Sequence, residues 1–184
     1  MLYQPADPRQ LLIGCGNSRH KRLAWPGSPQ EFGDKLTTLD LDPNCGADVE
    51  WDLERLPLPF PDNHFDEIHA YEILEHVGRQ GDWRFFFSQF ADFWRMLKPG
   101  GLFLGSVPVL DTENEQTDPG HTRRFHTQWL SYLHQPHYDQ VGRTMCSDYR
   151  HFYTADFDFP IVPAAHGGCN YFGMSAVKPS RIKT

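Results

Sequence analysis

Trp83, Phe86, Phe87, Phe90, Phe93, Trp94 and Leu97 recur mostly at steps of three and four. That spacing puts the large apolar side chains on one helical face. It predicts an amphipathic helix from Asp82 to Lys98, stopped by Pro99-Gly100-Gly101. Apolar segments flank it, Asp66 to Tyr71 before and Leu102 to Val107 after, and both read as strands. Strand, covering helix and strand is the unit of a parallel sheet. The aromatic stripe is then core packed on that sheet, not a surface for stacking bases.

The rest of the chain repeats the theme. Leu11 to Ile13 reads as a strand running into a Gly14-Cys15-Gly16 turn, Leu36 to Leu41 as a second strand and Ala47 to Trp51 as a third. Between the first two, Pro26, Gly27, Pro29 and Gly33 rule out a long helix. Pro57, Pro59 and Pro61 force an extended loop. Ile73, Leu74 and Val77 share a helical face that Gly78 can end. Gln128 to Leu133 reads as a helix, and Asp156 to Val162 and Asn170 to Val177 as strands. The predicted fold is α/β: a Rossmann-like, doubly wound, mostly parallel sheet of about seven strands with helices on both faces.

A length of 184 residues fits one domain, 1–184. With 17 Lys+Arg against 24 Asp+Glu, the net charge of −7 argues against bulk capture of nucleic acid, which needs a basic face. The apolar runs are too short for a membrane helix, and MLYQPADPRQ lacks the basic-then-apolar order of a signal peptide. Cys15, Cys45, Cys146 and Cys169 are too scattered for a disulfide framework, so a reducing, cytoplasmic setting is expected.

In open parallel sheets, ligands bind beyond the carboxyl ends of the strands. Three motifs sit there. Gly14-x-Gly16 closes the first strand, where a missing Cβ lets backbone approach a ligand; an ordinary tight turn gives the same pattern. A dinucleotide fingerprint wants a third glycine where Arg19 stands, which counts against a nicotinamide oxidoreductase. Asp40 ends the second strand, placed to accept hydrogen bonds from a ribose diol or to solvate a turn before Pro43. Asp52 follows the third strand, as a contact for an adenine edge or as a surface acid. Arg19-His20-Lys21-Arg22 reads as a solvated turn, and no ligand spacing points to a metal site.

Taken as an ordered set, LLIGCGNSRH, TTLDLDP, VEWDLERLPLPFPDNHFDEIHAYEILEHVG and FWRMLKPGGLFLGSVP resemble the motif series of class I S-adenosylmethionine-dependent methyltransferases. The resemblance covers about Gln10 to Pro108 and is closest to the small single-domain members of methyltransferase type 11. It makes about 10–108 a cofactor-binding half and about 109–184 a half of substrate-facing loops and last strands. It implies that Gly14, Cys15, Gly16 and Asn17 line the methionine part of S-adenosylmethionine and Asp40 holds the ribose. Leu41 would pack on the adenine, Asp52 and Leu53 would meet its edge, and Tyr71 would lie beside the sulfonium.

The implied reaction is an in-line displacement of the sulfonium methyl onto an acceptor, a small molecule or a protein group, releasing S-adenosylhomocysteine. His121, in Asp118-Pro119-Gly120-His121-Thr122-Arg123-Arg124-Phe125, and His76 are the candidate catalytic residues. For each the alternative is a purely structural role. Glu75, Arg123 and Arg124 are candidate substrate-binding residues, the arginines by pairing with an acidic acceptor. A second reading keeps the cofactor site but makes the chain a non-catalytic S-adenosylmethionine-binding accessory subunit.

Overall fold

The computed structural model describes residues 5–25 and 28–179, so Pro26 and Gly27 lie outside the described residues. The strands are β1 (Gln10–Ile13), β2 (Leu36–Asp40), β3 (Val49–Glu50), β4 (Phe65–Tyr71), β5 (Leu97–Pro108), β6 (Phe157–His166) and β7 (Cys169–Ala176). They form one sheet in the order β3-β2-β1-β4-β5-β7-β6. The first five are parallel, and β7 runs antiparallel between β5 and β6. Strand order reverses between β1 and β4, which opens a crevice at their carboxyl ends.

The predicted helix is α1 (Trp83–Met96). Asp82 caps it by accepting the Phe85 N–H at 3.0 Å. Phe86, Phe87, Phe90, Phe93 and Met96 are buried against Leu11, Ile13, Ile68, Ala70 and Phe103 of the sheet. Each large apolar side chain so buried contributes about 1.5–3 kcal/mol. The helix also anchors the proline loop: Asp92 accepts the Leu58 N–H at 2.7 Å, and Arg95 donates to the Phe60 carbonyl at 2.7 Å.

Helical cover is thinner than the sequence predicts. Besides α1, the described residues contain only α2 (Glu113–Gln116) and 3-10 turns at Leu74–His76, Thr127–Leu133 and Gln135–Gln140. The helix predicted around Ile73 to Val77 is a single turn, because Glu72 enters it at φ 51° and Val77 leaves it extended. The strand predicted from Leu102 begins five residues earlier, at Leu97, running straight out of α1.

The opposite sheet face is closed by the irregular segment after β1, held by polar contacts. Glu67, on β4, accepts from Gln10 Nε2 at 2.6 Å and from Lys21 Nζ at 3.0 Å. His69 Nε2 lies 2.9 Å from the same carboxylate, and His69 Nδ1 lies 2.6 Å from the Tyr71 hydroxyl. Lys21 also donates to the Pro29 carbonyl at 3.1 Å, and Gln10 accepts the Gly33 N–H at 3.0 Å. The Lys21 and Glu67 side chains are 0% and 5% exposed. The predicted solvated turn around Lys21 is therefore wrong for that residue: its ammonium is a buried staple between segment and sheet.

This network fixes a tautomer. Burial alone would raise the Glu67 carboxyl, but His69, Gln10 and Lys21 together bring it down to about 2. Glu67 is then an ionised acceptor, so His69 carries its proton on Nε2 and accepts from Tyr71 on Nδ1. Burial holds the His69 pKa below its ordinary 6.5 despite the Glu67 charge. The folded protein thus keeps His69 neutral where the unfolded chain takes up a proton. The His69 contribution to stability should fall as pH drops below 6.5, by up to about 1.4 kcal/mol per pH unit for one proton, against an opposing contribution from Glu75, whose buried carboxyl is pushed up to about 8. Glu67 adds the same sign lower, its contribution fading from 4.5 towards about 2. Urea midpoints between pH 7.5 and 5 check this: the slope of stability against pH should be less positive in His69→Gln than in wild type. An unchanged slope would mean that His69 is not the residue held neutral.

Candidate active site

Two groups of residues meet at the carboxyl ends of the central strands. The first surrounds the glycine turn after β1. Gly14 and Gly16 both have positive φ, 60° and 47°. They differ in surroundings. A Cβ on Gly14 would lie 2.3 Å from Ile73 Cγ1, whereas a Cβ on Gly16 would meet nothing within 4 Å. Gly14 lets the turn after β4 pack down, and Gly16 faces open space. Asp40 Oδ2 accepts the Gly16 N–H at 2.7 Å and Oδ1 accepts the Asp42 N–H at 3.0 Å. Arg19 clamps the turn from below, donating to the carbonyls of Gly16 at 2.8 Å and Gly46 at 2.9 Å. Cys15 and Cys45 pack beneath, and burial pushes the Cys15 thiol up to about 11, so it stays protonated.

Around that turn the predicted cofactor residues fall as follows. Asn17 is exposed at its rim. Leu41 is 64% exposed, an apolar side chain left bare just past Asp40. Asp52 is exposed and uses one oxygen on the Glu54 N–H at 2.8 Å, while Leu53 is buried behind it. Tyr71 turns its hydroxyl inward to His69 and accepts the Leu23 N–H at 3.1 Å. These features fit an adenosyl ligand: an open backbone cradle, a carboxylate whose oxygens each hold one N–H and retain lone pairs, and a bare leucine for a ring.

The second group lines a cleft of about 500 Å³ bounded by Glu72, Glu75, His76, Asp118 and His121. Glu75 is 2% exposed, and neither carboxylate oxygen has a hydrogen-bond partner. Burial, with Glu72 and Asp118 nearby, pushes its carboxyl up to about 8. His121 Nε2 stands 4.0 Å from Glu75 Oε1, and the His76 and His121 rings meet edge to face at 4.6 Å. His121 Nδ1 lies 2.8 Å from the Glu115 carbonyl and His76 Nδ1 lies 3.1 Å from the Gly120 carbonyl. A carbonyl only accepts, so both rings carry hydrogen on Nδ1 and leave Nε2 as a bare acceptor. The Glu75-His76 pair and the distant His121 therefore come together.

The two arginines have internal partners in place of the acidic acceptor that the sequence reading offered them. Arg123 is 3% exposed and donates to the Leu74 carbonyl at 2.7 Å and Gln89 Oε1 at 2.8 Å. Arg124 donates to Glu115 at 2.9 Å and to Asp111 at 2.5 Å. Both pin the loop that carries His121. Sequence reasoning missed Glu72 and Ser106, each with a buried oxygen lacking a partner. Glu72 follows β4 directly, one place beyond the last residue the motif flagged, and its φ of 51° marks it as a special position.

The class of the protein follows from the fold, the crevice and this cradle. The chain belongs to the methyltransferase domain family, whose model matches residues 11–105. The cofactor of that class is S-adenosylmethionine. Among curated relatives, the sterol 24-C-methyltransferase of Yarrowia lipolytica is 27% identical over 112 residues, 60% of this chain and 25% of that protein. The chain thus spans only a quarter of that relative's length. Two solved structures share the fold. An S-adenosylmethionine-dependent methyltransferase from Archaeoglobus fulgidus aligns with a TM-score of 0.54 at 15% identity, over 92% of this chain and 86% of that one. One from Methanosarcina mazei aligns with a TM-score of 0.54 at 13% identity, over 95% and 94%.

Proposed function

We propose that this chain transfers a methyl group from S-adenosylmethionine to a small molecule that enters the cleft beside Glu75, His76 and His121. The observation that carries the reading is the convergence of these three side chains at the carboxyl end of the sheet, next to the glycine cradle. The cofactor, when bound, supplies an activated methyl carbon. The chain's own residues hold and orient. Gly14, Cys15, Gly16 and Asn17 line the cradle, Asp40 takes the ribose, and Leu41, Asp52 and Leu53 receive the adenine. His76 and His121 face the acceptor with bare Nε2 atoms.

Two further hollows lie near the cleft. One borders it at Asp118 and His121, and another, of about 260 Å³ and lined by Trp83, Phe86, Trp129, Tyr132 and Tyr149, shares Gln80 and Arg123 with the first. A polar corner with an aromatic hollow in its neighbourhood suits an acceptor with a polar reacting end and an apolar body. The curated relatives are named for methylating a carbon of a sterol, so they speak for a small, largely apolar acceptor but not for a polar reacting end.

Asp40→Ala should weaken S-adenosylhomocysteine binding by about 1.5–3 kcal/mol, the value of charge-assisted hydrogen bonds. Asp40→Asn, which keeps an acceptor for Gly16, should lose less. Calorimetry measures both, and unchanged affinity in the alanine variant would remove Asp40 from the ribose. The acceptor is sought by incubating the chain with methyl-labelled cofactor and fractionated metabolites. Label in an amphipathic small molecule supports the reading; label only in protein, or none despite bound cofactor, argues for a different acceptor or for an accessory subunit.

A further inference from the structure

We infer that Glu75, His76 and His121 form a binding site for one divalent transition-metal cation, which positions a hydroxyl of the acceptor in the cleft. One ligand atom from each of the three residues lies within 4.8 Å of the others. Around a single cation with ligand distances of about 2.1 Å, neighbouring donors stand about 3.0–3.4 Å apart. The three therefore need to draw in by about an ångström. His76 sits at the cleft wall and is only partly buried.

Three further observations point to a cation. Glu75 is almost wholly buried, yet both of its carboxylate oxygens lack partners in the protein. A buried carboxylate without donors is costly, and a cation is the group that would satisfy it. Each histidine gives Nδ1–H to a backbone carbonyl, of Glu115 and of Gly120. Metal-binding histidines are commonly oriented this way, with the second nitrogen left for the ion. Finally, Glu72 and Asp118 line the same cleft, so its field favours positive charge. Two imidazoles and one carboxylate suit manganese, iron, cobalt or zinc better than magnesium or calcium. Three protein ligands leave coordination positions for water or an acceptor oxygen. The described residues hold one other such cluster, Cys15, Asp40 and Cys45, but it lies under the nucleoside cradle and shares Asp40 with it.

The inference rests on the methyltransferase reading for the acceptor, but the site is tested without one. The full chain is stripped with EDTA and titrated with Co²⁺, followed by visible absorption, and with Zn²⁺ and Mn²⁺, followed by calorimetry. One Co²⁺ per chain should bind, with the ligand-field bands of a nitrogen–oxygen site and a rise in melting temperature. Glu75→Gln and His121→Ala should each weaken binding about tenfold or more. Without metal, Glu75→Gln should melt no lower than wild type, since it exchanges a buried carboxyl without partners for a neutral amide of nearly the same shape; this separates loss of a ligand from loss of the fold. His134→Ala, outside the lining of the cleft, should leave Co²⁺ binding unchanged. Absence of binding at millimolar metal, or equal binding by the Glu75 and His121 variants, overturns the site. S-adenosylhomocysteine calorimetry is run in parallel, so that bound nucleoside without bound metal sinks this inference alone.

Discussion

Lys21→Met should cost about 3–5 kcal/mol of folding stability, the range for breaking a buried ion pair by removing one partner. The ammonium is wholly buried and bonded to Glu67 at 3.0 Å and to the Pro29 carbonyl at 3.1 Å. Its loss strands a carboxylate on β4 with Gln10 and His69 as remaining donors, and frees the segment that closes this sheet face. A domain of this kind has only about 5–15 kcal/mol in total, so the urea midpoint should drop sharply. The double variant Lys21→Met with Glu67→Gln should recover part of the loss, because no charge is then left unpaired. If the single variant loses under about 1 kcal/mol, water reaches this pair and the staple is not what holds the segment.

That staple also shows where a sequence stops being readable. β1, β2, β4 and α1 were legible because their information is local: apolar runs cut by glycine, and a stripe at helical period. The tail strands were legible for the same reason, and Gly167-Gly168 supplies the turn between them. Lys21 was not, because its burial depends on Glu67, 46 residues away. Arg123 reads as a free cation in the sequence and is spent on Leu74 and Gln89, 49 and 34 residues distant. The candidate cluster was half legible. Glu75, His76 and His121 were each singled out, but only the closed fold sets His121 against Glu75. The helix predicted through Ile73 failed because tertiary packing overrode its local pattern: the Ile73 side chain sits on Gly14, which fixes the backbone leaving β4.

That contact carries the second large effect. Gly14→Ala should destabilise the fold by about 2–5 kcal/mol, from two sources. An alanine held at φ 60° costs about 1–2 kcal/mol in the left-handed region. Its Cβ would also stand 2.3 Å from Ile73 Cγ1 and 2.7 Å from Ile73 Cβ, and the latter is too close to the backbone to swing aside. Overpacking of that kind costs about 1–3 kcal/mol more. Gly16→Ala separates the sources, since its φ is similar but nothing lies within 4 Å of the added carbon. It should lose only the backbone part of the stability and instead lose nucleoside affinity, because the open space it faces is where the cofactor would lie. In an Ile73→Ala background the cost of Gly14→Ala should shrink by the part of the overpacking due to Cγ1 and Cδ1, the Cβ contact at 2.7 Å remaining, a coupling that thermal or urea unfolding of the four chains reads directly. Equal costs for Gly14→Ala and Gly16→Ala would show that the turn after β4 is free to yield, and the rigid link between the cradle and the histidine cleft would be lost with it.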